Sequence, residues 1–245
     1  MSAPDQAPLP PAVAAFRADY RASEIPPGYR PWLHLLFTFG GGGLALLACL
    51  WQLAQIQPLE WLTVPLAFLY ANLAEYLGHR FPMHHPTRWL KLVYRRHAGQ
   101  HHRYFTAQSM PLGDARDLRA VLFPPLLVIF FFGGFGIPAW LLLAWLASTN
   151  VAWLFTATAL AYFLNYELLH LLHHAPPHWR FSRIAWLRRW SQLHRIHHDP
   201  RRMAHCNFNI SYPLCDWLFG TRDARETVDP LSPDSPAATS GEHTG

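Results

Sequence analysis

The chain has 245 residues, of which 51% are hydrophobic and only 14% are charged, with a formal net charge of +5. A soluble globular chain is about a quarter charged, so this composition argues against one, and the length fits a single domain or one membrane bundle. The high pI, near 9.4, does not point to nucleic acid, because the basic residues sit beside long apolar runs.

In chain order, residues 1–30 read as a disordered or interfacial N-terminal segment, with its first 12 positions rich in Pro and Ala. Residues 31–59 and 61–74 are two uncharged runs. The first contains the Gly40–Gly43 tract, read as close helix packing or a kink, since no strand precedes it as a phosphate loop requires. Residues 120–166 contain no Asp, Glu, Lys or Arg. At about 1.5 Å per helical residue that run is roughly 70 Å long, more than twice the ~30 Å hydrocarbon core, so it must turn back on itself. Gly133–Pro138 and Ser148–Asn150 both offer a turn, and Ser148–Asn150 leaves two pieces that can each span. The expectation is an all-α bundle of four transmembrane helices near 33–56, 60–79, 120–147 and 151–172. The membrane domain then covers 31–225, followed by a disordered tail, 226–245.

All 20 Lys and Arg lie in three segments: Arg17–Arg30, Arg80–Arg119 and Arg180–Arg225. The loops at 55–58 and 148–150 have none, so the positive-inside rule places the three basic segments together on the cytoplasmic side. Cys49, Cys206 and Cys215 lack paired spacing, and no disulfide is expected. The first span starts too late and runs too long for a cleaved signal peptide. The Ala-, Pro- and Arg-rich composition points to a bacterial inner membrane.

Histidine carries the chemical signal. Of 16 histidines, 14 fall in four clusters beside the apolar runs: His79, His84 and His85; His97, His101 and His102; His170, His173, His174 and His178; His194, His197, His198 and His205. Their spacings are HxxxxH, HxxxHH, HxxHH and HxxHH. Residues three and four apart share a helix face, so each cluster offers two or three ring nitrogens from about one turn. About ten converging imidazoles exceed what one metal ion takes and suit two neighbouring ions. His85, His173 and His205 are left open as neighbours of ligands. His178, after two prolines, reads as surface, and His34 and His243 as bystanders, His34 at the membrane interface. Glu75, four residues before His79, and Glu167, three before His170, lie inside apolar helices, where an ionisable group marks function. Both are expected to accept a ring N–H from a liganding histidine and so orient it, with direct ligation also open. Asp199, after His198, is a third candidate for that role.

Several stretches together resemble the fatty acid hydroxylase/sterol desaturase superfamily of integral membrane di-iron oxygenases. They are Glu75-Tyr76-Leu77-Gly78-His79-Arg80-Phe81, Tyr166-Glu167-Leu168-Leu169-His170, His194-Arg195-Ile196-His197-His198, and Asn207-Phe208 followed by Asp216-Trp217-Leu218-Phe219-Gly220-Thr221. HRF followed by a second His, with Val121-Leu122-Phe123-Pro124-Pro125, is closest to the fatty acid 2-hydroxylase branch. The resemblance implies metal ligation by His79, His84, His97, His101, His102, His170, His174, His194, His197 and His198. The second cluster departs from the family's usual HxxHH, because His97 and His101 stand one residue further apart. The resemblance also implies a membrane enzyme with two iron ions, O2 as co-substrate and a lipid substrate. It would hydroxylate an unactivated C–H bond, or desaturate or oxidise a methyl group on the same centre. No cytochrome b5 domain is fused, so a separate ferredoxin- or cytochrome-type donor is implied. Arg80, Arg95, Arg96 and Arg103 stand near the clusters, where they either hold a lipid headgroup or follow the positive-inside bias. A transition-metal transporter or sensor is the competing class, but it would place its site at the midplane, commonly within repeats. A zinc hydrolase would need only three ligands and an HExxH-type base, which the chain lacks.

Overall fold

The structure, a computed structural model, describes residues 8–225, so the expected tail lies outside the described residues. Those residues form helices and connecting turns, with no strand among them. Helix α1 (Pro11–Ser23) opens on a proline in its first turn, where the missing N–H has no helical partner to lose. Within the segment 1–30 this helix is packed against the rest of the chain. Arg17 and Tyr20 are buried, and the Arg17 guanidinium donates to the carbonyls of Tyr104 at 2.8 Å and Ser109 at 2.5 Å. Arg21 pairs with buried Asp117 at 2.8 Å. A buried guanidinium must spend its donors inside the protein, and this clamp fixes α1 to the histidine-bearing end.

Helix α2 (Pro31–Trp51) widens into a π turn at Leu36–Gly41. A Cβ at Gly42 would come within 2.7 Å of a Leu164 methyl, so the glycine tract serves close helix packing at this position. Helix α3 (Thr63–Gly78) follows a tight 3₁₀ turn at Pro58–Leu62 and runs on into a π turn at His79–Met83. Helix α4 covers 91–104 and includes a π turn at Arg95–His101. Short α5 (Leu118–Val121) breaks at Leu122–Pro124, and α6 covers 125–146 with a π turn at Phe132–Gly136. The hairpin falls at Ser148, whose side chain caps α7 (Thr149–His173) by accepting from Val151 N at 3.1 Å. The alternative turn at Gly133–Pro138 lies inside α6, where the chain widens without reversing. Helices α8 (Ala185–His197) and α9 (Leu214–Leu218) follow.

Helices α2, α3 and α6 all pack on α7, which forms the axis of the bundle. The outer faces are apolar and bare: Leu44, Leu126 and Trp145 are 70%, 70% and 80% exposed. Two segments, Pro31–Trp51 and Ala115–Leu146, are long and apolar enough to cross a membrane. The two other expected spans are not among them: α3 carries Asn72 and Glu75, and α7 carries Asn165, Glu167, His170 and His173 in its last third.

Candidate metal centre

The four histidine clusters, far apart along the chain, come together in two adjoining groups at one end of the bundle. One group is His79, His84, His97, His102 and His197; the other contains His101, His170, His174 and His194, and all nine rings are buried. His198 joins the second group, with its Nε2 3.2 Å from that of His101 and 3.1 Å from that of His194. The groups meet where the His102 and His198 rings stack at 4.3 Å. Helix α4 contributes to both groups, as do α8 and the residue that ends it, and this keeps the groups adjacent.

The local backbone explains the spacing. A π turn hydrogen-bonds i to i+5, one residue more per turn than an α-helix. His79 and His84 flank the π turn at His79–Met83, and His97 and His102 span the one at Arg95–His101. Residues five apart therefore come to one face, and the His97 and His102 Nε2 atoms lie 3.0 Å apart. His101 and His102 then point to different groups.

Tautomers follow from the outer contacts. Backbone carbonyls accept from Nδ1 of five rings: Phe208 from His79 (2.5 Å), Ala120 from His101 (2.8 Å), Met110 from His174 (2.9 Å), Cys206 from His197 (2.8 Å) and Phe105 from His198 (2.6 Å). A carbonyl only accepts, so Nδ1 carries the proton and Nε2 presents a lone pair inward. Neighbouring Nε2 atoms in the two groups approach to between 2.8 and 3.2 Å, the extremes being His79–His97 and His101–His198. With a metal–imidazole bond of about 2.1 Å, two ligands at a right angle stand about 3.0 Å apart, so the spacing fits a shared ion. Burial holds the rings neutral, as ligation requires. Burial, then the neighbouring imidazoles, pushes His84 down to about 2, and burial takes His101 to about 3 and His197 to about 4. His97, His102, His194 and His198 are lowered well below the ordinary imidazole value for the same first reason.

The expected carboxylate partners do something else. Glu75 accepts from Ile210 N, Ser211 N, Ser211 Oγ and Tyr162 OH at 2.5 to 3.0 Å, and from no histidine among the described residues. It holds the 207–211 segment, whose Phe208 carbonyl orients His79. Glu167, fully buried, accepts from Phe123 N at 3.2 Å, and Asp199 caps Arg201 N at 2.9 Å. His79 turns its Nδ1 to the Phe208 carbonyl and not to Glu75, whereas His170 Nδ1 has no hydrogen-bond partner among the described residues, Glu167 being engaged by Phe123 N. His173 is buried with both nitrogens already engaged, by Ser191 Oγ at 2.9 Å and the Ile210 carbonyl at 3.0 Å. His85, His178 and His205 are exposed. His34 is buried and bridges Tyr29 OH and the Phe123 carbonyl at 2.9 and 3.0 Å.

Sequence reasoning gave Asp216 no role of its own. Its carboxylate accepts from Phe208 N (2.9 Å), Asn209 N (2.7 Å) and Thr221 Oγ (2.7 Å), fixing the loop that supplies two of the five carbonyls. Asn207 adopts a left-handed φ of 56° there and donates to the Leu193 and Asp223 carbonyls. The Asn207-Phe208 and Asp216–Thr221 motifs were the available signal for this pairing.

An apolar cavity of about 410 Å³ runs from the histidines along α7 between α3 and α6. His79, Glu75 and Tyr166 line its inner end, and Phe131, Phe135 and Phe155 its outer part.

Bare apolar faces, two segments able to cross a membrane and buried histidine groups that could hold metal ions together point to the class of membrane proteins with a candidate metal site. The chain belongs to the fatty acid hydroxylase family, whose model matches residues 64–221 and so includes every histidine of both groups. No curated protein and no solved structure matches it.

Proposed function

We propose that the protein is an O2-dependent lipid oxygenase that holds one iron ion in each histidine group and hydroxylates an unactivated C–H bond of a fatty acyl or related lipid. The observation that carries this reading is the convergence of bare Nε2 atoms at 2.8 to 3.2 Å in two adjoining groups. His79, His84, His97, His102 and His197 would hold one ion, and His101, His170, His174, His194 and His198 the other. All-imidazole sets suit iron among the first-row metals, and bound iron would activate dioxygen for insertion into a C–H bond. The chain's own part is positional. Main-chain carbonyls hold five of the ten rings in one tautomer, Glu75 and Asp216 hold the 207–211 loop, and the apolar cavity aligns an acyl chain beside His79 while excluding water. Each turnover consumes two electrons and two protons besides O2 and releases water, so a separate ferredoxin- or cytochrome-type donor is required.

In this reading α2, α3, α6 and α7 are four transmembrane helices of a bacterial inner-membrane protein. The basic, histidine-bearing end faces the cytoplasm. The test is metal analysis of the purified protein together with mass spectrometry of lipids from cells with and without the gene. Two irons per chain and a lipid gaining one oxygen are expected. A product lacking two hydrogens would place the chain among desaturases on the same centre. One zinc per chain, or metal-ion flux across vesicles without lipid oxidation, would sink the proposal.

A further inference from the structure

We infer that the stretch from Trp179 to Arg189 lies on the membrane surface and binds anionic phospholipid headgroups, and that this contact steadies helix α8 and the histidines it carries. The inference rests on the placement of the bundle in a membrane and not on the oxygenase reading. Between Glu167 and Asp199 the chain carries five arginines and no acidic residue. Arg195 donates to Gln192 Oε1 at 3.1 Å. Arg180, Arg183, Arg188 and Arg189 are exposed, and none of them pairs with a carboxylate among the described residues. Interleaved with them, Trp179, Phe181, Ile184 and Trp186 are exposed as well. Arginines alone would be the ordinary excess of positive charge on one side of a membrane. Alternating with bare aromatic rings on one short stretch, they fit the headgroup level, where rings reach the acyl boundary and the planar guanidinium fork takes phosphate oxygens.

The neighbours fix that level. Trp186 packs on Trp190 at 5.1 Å, and Trp190 on Tyr212 at 5.5 Å. Tyr212 stands just before α9, whose Leu214, Trp217 and Leu218 are exposed. Phe219, also exposed, lies 5.1 Å from Tyr76 of α3. The bare apolar surface of the bundle thus runs on through α9 to the edge of α8, where the arginines begin. Helix α8 joins this surface to the histidines. It is a single helix of 13 residues, with Arg188 and Arg189 exposed in its first half and His194 and His197 buried at its end. A headgroup held at the first half therefore limits movement of the rings at the other.

Native mass spectrometry of the detergent-purified protein, offered phosphatidylglycerol and phosphatidylcholine of the same acyl chains in equal amounts, tests the binding. A basic residue near an anionic surface strengthens binding roughly fivefold, so wild type should retain phosphatidylglycerol at least about tenfold over phosphatidylcholine. Arg183→Gln, Arg188→Gln and Arg189→Gln together should abolish that preference. Arg201→Gln with Arg222→Gln, which removes two other exposed charges, should keep it. Equal retention of the two lipids by wild type overturns the inference, as does an unchanged preference in the triple variant or an equal loss in the double one. Hydrogen exchange in lipid nanodiscs tests the steadying. Backbone amides of 185–197 should exchange at least about tenfold more slowly in discs of phosphatidylglycerol than in discs of phosphatidylcholine, and equal rates overturn that part. If the triple variant does not fold, the wild-type lipid ratio and exchange rates decide. Failure to assemble into discs of either lipid would instead refute the membrane placement itself, so the two failures are distinguishable.

Discussion

His173 and His174 are neighbours in sequence and both buried, yet they have opposite surroundings. His173 has both ring nitrogens satisfied by Ser191 Oγ and the Ile210 carbonyl, whereas His174 has one on the Met110 carbonyl and the other 3.1 Å from the His194 Nε2. His174→Ala should therefore remove about one metal ion per chain, and His173→Ala should leave the metal content unchanged. The second variant should instead cost about 1–3 kcal/mol of stability, because it strands the buried Ile210 carbonyl and the half-buried Ser191 hydroxyl. Metal analysis beside thermal denaturation separates the two, and loss of metal from both would refute the division. The spacing of the histidines made the converging set legible in the sequence, but His173 stayed open, because only its loop partners distinguish it. Glu75 and Glu167 were legible as special, but the partners they take were not: Glu75 holds the 207–211 loop and Glu167 the Phe123 N–H, while five of the rings are oriented by main-chain carbonyls, which no residue type advertises.

One π turn accounts for the one feature that departs from the family pattern. Between His97 and His102 the helix holds one residue more than an α turn, and the histidines still meet at one face. Deleting Gly99, whose position meets no neighbour closer than 4.0 Å, leaves His97 and His102 four apart. That is one α turn, so the variant should retain both metals. Inserting an alanine after Gly99 places them six apart and should reduce metal to about one ion per chain. The opposite pair of outcomes would refute the role of the π turn. Helix α1 makes a second case. Arg17 lies 5.2 Å from the Phe105 ring centroid, and the Phe105 carbonyl orients His198. Arg17→Ala should destabilise the protein by about 2–4 kcal/mol, since it leaves the Tyr104, Ser109 and Pro111 carbonyls short of a donor. Chemical denaturation measures that loss. The docking of α1 was not legible, because a short helix carrying two arginines and an aspartate reads as solvent-facing until its clamp is seen.

For the molecule as a whole, burying so many neutral imidazoles makes folding sensitive to acid. In the unfolded chain a histidine titrates near 6.5, whereas burial holds His84, His101 and His197 at about 2, 3 and 4. The unfolded state thus binds more protons below about pH 6.5, and stability falls as pH falls through that window. Chelator-treated protein should lose thermal stability steadily from about pH 7.5 to 5.5, and a flat profile would contradict the burial of the set. The apolar runs and the hairpin at Ser148 were legible at this scale, since they need only the absence of charge and one capping residue. The cavity was not, because it depends on α3 and α6 both leaning on α7. That arrangement makes α7 a ruler. One unbroken helix of 25 residues, about 38 Å at 1.5 Å per residue, floors the cavity through Phe155, Tyr162 and Tyr166 and then carries His170, with His174 at its end. The span from the cavity floor to His170 and His174 is thus fixed within one rigid rod. Under the proposed oxygenase reading, thinner or thicker bilayers should therefore shift occupancy of the cavity without changing which carbon reacts.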